Sequence, residues 1–269
     1  MSFAGLGITQ AALIAMRIVA FLRCHEARQQ RRRHGGCLCS AIGYLRLPSM
    51  IGTPPMVLKS NTILGMREHW DKVYGTKAPN QVSWFRPHLE TSLELIERAT
   101  RGDRSSSIID LGGGASTLVD DLIERGYQKV TVLDISQTAL DVAQKRLGDT
   151  ARSVQWLHAD VEQANVPARS FDVWHDRAVF HFLKTPEERL AYVRKVTLAV
   201  RQDGHIIVST FGPDGPTRCS GLDVVRYDAE SLHGEFGAPF RLVESSKELH
   251  ETPSGTTQQF LYCHFTLEQ

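Results

Sequence analysis

The chain has 269 residues and a formal net charge of +1 at pH 7, long enough for one α/β domain with a continuous core and some length to spare. The charge is unevenly shared, with +7 in residues 1–65 and −6 in the remainder. An acidic body lacks the clustered Lys and Arg that phosphate-backbone binding needs, so nucleic acid is not a favoured partner.

Residues 1–65 read as an N-terminal extension. Phe3 to Leu22 is mostly apolar with one charge, Arg17, and is followed by Arg23 and Arg31-Arg32-Arg33. A secretory signal carries its positive charge before the apolar stretch, and here it follows. A membrane anchor needs about 20 apolar residues, which this segment just reaches with an arginine inside. An organelle transit peptide suits the Arg-rich, acid-poor composition. A further reading is a disordered or dispensable segment with translation starting at Met66, which directly precedes the domain-like pattern Arg67-Glu68-His69-Trp70-Asp71-Lys72-Val73-Tyr74. The expected division is 1–65 as extension and 66–269 as domain, with 66–100 forming lid helices and 105–269 the core.

Cys24, Cys37 and Cys39 fall in the extension, and Cys219 and Cys263 in the body. An odd count without paired spacing argues against a disulfide framework and for a reducing compartment, the cytoplasm by default. Organelle targeting or anchoring through residues 1–65 is the alternative. Cys37-x-Cys39 beside His34 lacks the paired C-x₂₋₄-C spacing of zinc sites, so no metal site is expected.

From Met66 the periodicities alternate. Pro87 suits a helix first turn, and Leu89, Leu93, Ile96 and Ala99 recur at helical spacing. A strand over Ser107–Leu111 leads to a helix using Leu118, Leu122 and Ile123, ended by Gly126. Lys129–Asp134 is a β-branched second strand, and Ser136 caps a helix with Leu140, Ala143 and Leu147 on one face. A third strand lies near Val154–His158 and a fourth over Phe171–Asp176. A helix over Pro186–Val200 turns Leu190, Val193 and Val196 inward. The continuous apolar run Gly204–Thr210 predicts a strand buried on both faces. A short helix near Ala229–Phe236 precedes strands around Phe240–Ser245 and Gln259–Phe265. This alternation predicts a doubly wound, mostly parallel sheet.

Ile108-Ile109-Asp110-Leu111-Gly112-Gly113-Gly114-Ala115-Ser116 then stands out. It reads as a buried strand ending in a carboxylate, a glycine turn and a helix start, the place where open α/β sheets bind nucleotide-like ligands. Asp110, Asp134, Asp160 and Asp176 close or follow four successive strands and are expected to converge on one crevice. Asp134 comes 20 residues after Gly114, where a carboxylate can grip both hydroxyls of a ribose. The ligand is a dinucleotide or S-adenosylmethionine. The dinucleotide fingerprint wants a third glycine where Thr117 stands, and a carboxylate beside the turn would repel a pyrophosphate.

The motif Asp110-x-Gly112-x-Gly114-x-Ser116 resembles the D/E-x-G-x-G-x-G turn of class I S-adenosylmethionine-dependent methyltransferases, with serine in place of the third glycine. The likeness runs from about Met66 to the C-terminus, and its opening segment is similar to those of bacterial methyltransferase-domain proteins and, more loosely, of thiopurine-type and lysine methyltransferase-like proteins. It implies a Rossmann-like, seven-stranded sheet with an antiparallel last strand. It also implies that Gly112, Gly113 and Gly114 face the methionine part of the cofactor and Asp110 orders its amino group. Asp134 would hold the ribose with Ile135 on the adenine, while Asp160 and the Val161 N–H would meet the adenine edge. Trp70–Tyr74 and Val82–Pro87 look like a lid, with Trp84 and Arg86 closing on the methionine end. Lysine-modifying relatives carry an Asp-Lys-Gly-type turn after the fourth strand, where this chain has Asp176-Arg177-Ala178.

Methyl transfer from a sulfonium needs mainly a nucleophile held in line, and a base only if that nucleophile arrives protonated. His175, Asp176 and His181 leave the fourth strand at the methyl-facing edge. Neighbours in a strand point to opposite faces, so Asp176, then His181, are the expected catalytic residues. The expected activity is methyl transfer to an N or O nucleophile of a small molecule or protein side chain, with residues 211–227 shaping the acceptor pocket. The alternatives are an NAD(P)-dependent oxidoreductase and a non-catalytic S-adenosylmethionine-binding interaction protein.

Overall fold

A computed structural model describes residues 63–268. The readings of Phe3–Leu22, the arginine run, His34, Cys24, Cys37 and Cys39 lie outside the described residues. The first described helix, α1 (Ile63–Thr76), begins three residues before Met66.

The β-branched and apolar runs form β1 (Ser107–Leu111), β2 (Lys129–Asp134), β3 (Val154–His158), β4 (Phe171–Arg177) and β5 (Val200–Phe211). Two-residue strands β6 (Arg218–Cys219) and β7 (Leu222–Asp223) pair as a separate hairpin. β8 (Phe240–Glu251) and β9 (Thr257–Leu267) complete a seven-stranded sheet of order β3-β2-β1-β4-β5-β9-β8. Strands β1 to β5 pair in parallel, and β9 inserts antiparallel between β5 and β8. The last strand is thus reversed, as expected.

Helices α2 (Glu90–Thr100), α3 (Leu118–Glu124), α4 (Gln137–Leu147), α5 (Pro186–Ala199) and α6 (Ala229–Phe236) cover the sheet. The Ser136 hydroxyl accepts the Ala139 N–H at 3.1 Å, capping α4. Thr185 and Glu188 form a capping box at α5. Gly126, at φ 87°, lets the chain leave α3 while the Tyr127 N–H reaches the Leu122 carbonyl at 3.0 Å.

Alternate strand residues feed two cores, one on each sheet face. Ile108, Val130, Val132, Val173 and Ile207 pack with Leu93, Ile96, Leu118 and Leu122 from α2 and α3. Ile109, Leu111, Trp174, Ile206 and Val208 pack with Tyr192, Val196, Leu232 and Phe236 from α5 and α6. Each such side chain contributes about 1.5–3 kcal/mol when fully buried. Together they fix the strand order, and hence which strand ends share an edge.

Some expectations shift. Pro87 lies outside its helix, which starts at Glu90. Leu190 is half exposed, because Tyr192, Val193, Val196 and Ala199 define the inward stripe of α5. Leu190 falls about 130° round the helix from that stripe. β5, β8 and β9 all extend beyond their apolar centres, held by the antiparallel ladder.

Candidate active site

The glycine turn leaves the carboxyl end of β1 with Gly112 at φ 60°, a conformation costly for any residue with a Cβ. A Cβ on Gly112 would strike Val179, and one on Gly113 would strike the Asp110 carboxylate. At Gly114 it would come within 2.5 Å of Asp134 Oδ2 and 2.8 Å of the Ala139 Cβ. Three successive glycines therefore let β1, β2 and the start of α4 crowd together. Asp110 and Asp134 are both buried beside that turn.

Asp110 Oδ1 meets His175 Nδ1 at 2.7 Å, and His175 Nε2 meets the Ser92 hydroxyl at 2.9 Å. The pairing follows from register, because Asp110 on β1 lies opposite His175 on β4. Asp110 Oδ2 is buried without a partner. Asp134 Oδ1 accepts the Ser136 N–H at 2.8 Å. Burial, reinforced by the Asp110 and Asp71 carboxylates and opposed by that hydrogen bond, pushes the Asp134 carboxyl up to about 7. Asp160 Oδ1 accepts the Glu162 N–H at 2.8 Å and opens the turn after β3.

Two adjoining cavities run along this edge. The larger, about 260 Å³, is lined by Asp134, Ile135, Asp160 and Val161 at one end. Trp70, Tyr74, Trp84, Phe182, Arg177 and Ala178 line it elsewhere, with Cys219, Leu222 and Asp223 from the hairpin. The smaller, about 40 Å³, is lined by Asp110, Gly112, Gly113, Ser116, Thr117, Arg86 and His175. Tyr74, Trp84, Leu111, Gly112 and Arg177 belong to both. Gly114 lines neither and acts through the close approach it permits.

Asp176 and His181 do not line either cavity. Asp176 is fully buried on the opposite face of β4, where its carboxylate accepts the Tyr192 hydroxyl at 2.6 Å and the Val179 N–H at 2.8 Å. Phe180 N–H adds a bond at 3.1 Å. Burial pushes this carboxyl up to about 6 despite those donors. His181 is sealed against Phe182 and Phe211, and burial pulls its imidazole down to about 3. Alternation along β4 sends His175 and Arg177, not Asp176, to the cavity side, and His181 lies beyond the strand, buried in the turn Phe180–Phe182.

Arg86 lines the smaller cavity, but its guanidinium already reaches His250 at 3.3 Å and Glu90 and Glu248 at 3.4 Å. Trp84 packs edge-on against Trp70 and Tyr74, closing the aromatic wall. α1 is tied down by Asp71, whose Oδ1 accepts the Ser136 hydroxyl at 2.6 Å and the Thr138 N–H at 3.2 Å. The sequence places Arg177 in the segment after the fourth strand without giving it a role of its own, and treats His175 only as a rejected base. Their two-residue spacing was the available signal, though it does not by itself say which face they share.

An unpaired, buried carboxylate oxygen beside a glycine cradle suits a ligand bearing an ammonium and disfavours a pyrophosphate, so the residues present fit S-adenosylmethionine. The seven-stranded, mostly parallel sheet with its reversed final strand matches the Rossmann-like methyltransferase fold. Residues 108–204 match the family model described as "Methyltransferase domain", and the chain carries a domain of the class I methyltransferases, whose cofactor is S-adenosylmethionine.

Among curated relatives, the eEF1A lysine and N-terminal methyltransferase of Mus musculus is 24% identical over 149 residues, covering 55% of this chain. The chain spans 21% of that relative's length. Malonyl-[acyl-carrier protein] O-methyltransferase 1 of Ilyobacter polytropus is 23% identical over 51% of this chain and 49% of its own. Among solved structures, a Burkholderia thailandensis 1,6-didemethyltoxoflavin-N1-methyltransferase with bound S-adenosylhomocysteine superposes with a TM-score of 0.56 at 19% identity. That match covers 83% of this chain and 94% of the other.

Among the described residues, no group of three His, Cys, Asp or Glu side chains is placed to hold a metal ion. No described helix is long and apolar enough to cross a membrane.

Proposed function

We propose that the chain transfers a methyl group from S-adenosylmethionine to an N or O nucleophile of a small molecule or a protein side chain. The observation that carries this reading is the glycine turn flanked by Asp110 and Asp134 on the walls of two adjoining cavities. Bound there, the cofactor supplies an electrophilic methyl group.

The chain's own residues bind and orient. Asp110, held by His175, presents Oδ2 to the amino group. The backbone of Gly112 and Gly113 takes the methionine part, with Gly114 making room, and Trp84 and Arg86 flank that end. Asp134 receives the ribose hydroxyls, Ile135 packs on the base, and Asp160 and Val161 read its edge. The names of the relatives give a protein lysine and N-terminus and a malonyl-[acyl-carrier protein] as acceptors, and that of a solved neighbour gives the small molecule 1,6-didemethyltoxoflavin, which supports either acceptor type. The free thiols of Cys219 and Cys263 accord with a reducing compartment such as the cytoplasm. Residues 66–100 serve as the lid and 105–269 as the core.

Calorimetry with S-adenosylhomocysteine tests the site. Asp134→Ala removes a charged acceptor and should weaken binding by about 10²-fold or more. Unchanged affinity would remove the ribose assignment. Labelled methyl transfer into small-molecule and protein extracts in parallel tests the activity, and label in neither would overturn it.

A further inference from the structure

Arg177 is a cavity residue that the cofactor reading leaves without a task. Its Nε donates to the Tyr262 hydroxyl at 3.0 Å, and one Nη donates to the Trp84 carbonyl at 3.0 Å. The guanidinium lies over the Phe260 ring, 4.4 Å from its centroid. These contacts aim a rigid, permanently charged fork at the boundary shared by the two cavities. Its other Nη is buried and has no partner. A buried donor left unpaired is costly, and a ligand oxygen is the group that relieves the cost.

Resting on the methyltransferase reading, we propose that the acceptor is a small apolar acid, held by Arg177 through its carboxylate and methylated on a carboxylate oxygen. Arg177 lines both the cavity that holds Asp110 and the one that holds Asp134, where the sulfonium would join the two parts of the cofactor. Two cations facing one another repel, and an anion placed between them is attracted by both. Of the groups on the cavity wall, neither the Tyr74 phenol nor the Cys219 thiol is a ready base for a protonated nucleophile. Tyr74 is pushed far above its ordinary value by burial and Cys219 up to about 12, so both stay protonated. Asp223 is paired with Arg218 at 2.9 Å, and Glu188 caps α5.

A carboxylate needs no base. Its oxygen forms the new C–O bond as the S–CH₃ bond breaks, the electron pair passes to sulfur, and no proton moves. The body of such an acid would lie against Trp70, Tyr74, Trp84 and Phe182, whose rings meet edge-on.

The probes are benzoate, phenylacetate and cinnamate with their primary amides, titrated into the protein saturated with S-adenosylhomocysteine. At least one acid should bind at least about tenfold more tightly than its amide, and Arg177→Gln should remove that preference while Arg177→Lys keeps part of it. With labelled S-adenosylmethionine, the product of the bound acid should be a base-labile methyl ester. S-adenosylhomocysteine affinity should stay within about twofold in both variants, which also reports that they fold. If acids and amides bind alike, or no acid binds while S-adenosylhomocysteine does, the acceptor assignment falls and the cofactor site stands. If Arg177→Gln loses S-adenosylhomocysteine instead, Arg177 holds the cofactor and the proposal is overturned. Failure of the wild type to bind S-adenosylhomocysteine at all would sink the methyltransferase reading itself.

Discussion

The two faces of β4 carry similar chemistry to different ends. On one face, His175 and Arg177 reach the cavities, the first bracing Asp110 and the second carrying a buried, unpaired Nη. On the other, Trp174 and Asp176 enter the core, where Trp174 Nε1 donates to the Tyr192 hydroxyl at 3.0 Å and that hydroxyl donates to Asp176. The buried face holds the turn that follows the strand, and the turn sets Ala178 and Val179 on the cavity wall. One strand thus supplies both the wall and its support. An acid at the end of a strand is not evidence of chemistry until its face is known.

The largest expected effect breaks the supporting face. Asp176→Ala strands the Tyr192 hydroxyl and the Val179 and Phe180 N–H groups, and should cost about 2–5 kcal/mol in urea or thermal unfolding. Asp176→Asn keeps an acceptor and should lose less, with methyl transfer by the folded fraction nearly unchanged. Abolished turnover in a stable Asp176→Asn protein would return Asp176 to the reacting centre and erase the contrast between the faces.

A smaller effect is expected on the cavity face. His175→Ala frees Asp110 to rotate and leaves Ser92 unpaired, so S-adenosylhomocysteine affinity should fall by about tenfold, roughly one charge-assisted bond. Stability should fall less than in Asp176→Ala. Calorimetry and unfolding on the same preparations compare the two faces directly; an unchanged Kd in His175→Ala would show that Asp110 needs no brace.

Much of this architecture was legible in the sequence because buried parallel strands write themselves as apolar, β-branched runs. Ser107–Leu111 and Lys129–Asp134 were placed to the residue. The glycine turn and the acids that close or follow β1, β2 and β3 were legible for the same reason, since they sit where such strands must end. The β4 side chains were not. Period-two alternation shows that His175 and Asp176 diverge, but only the register of β4 on β1 shows which one meets Asp110. Leu190 was misplaced because one apolar residue at roughly helical spacing competes with a stripe anchored by Tyr192. The outer half of β8, with Ser246, Lys247 and Glu248, lies beyond the expected strand Phe240–Ser245 because it is polar, and is a strand because β9 pairs with it.

Proton binding gives the smallest effect and separates two buried acids that the sequence treats alike. Burial raises both Asp134 and Asp176 above the ordinary carboxylate value, to about 7 and about 6. A raised carboxyl favours the folded state when neutral, so each acid's contribution to stability is complete below about 3.8 and is lost as pH rises through its folded value. Affinity should run the other way for Asp134 alone. Its ionised form is the better acceptor for ribose hydroxyls, so S-adenosylhomocysteine binding should tighten from pH 6 to 8, by at most about tenfold per unit below pH 7. Asp134→Asn should bind weakly with a flat profile, whereas Asp176→Asn should flatten the stability curve between about pH 4 and 6 and leave the affinity slope in place. An affinity slope that survives in Asp134→Asn but vanishes in Asp176→Asn would mean the acid in the core, not the one on the cavity wall, answers to the ligand.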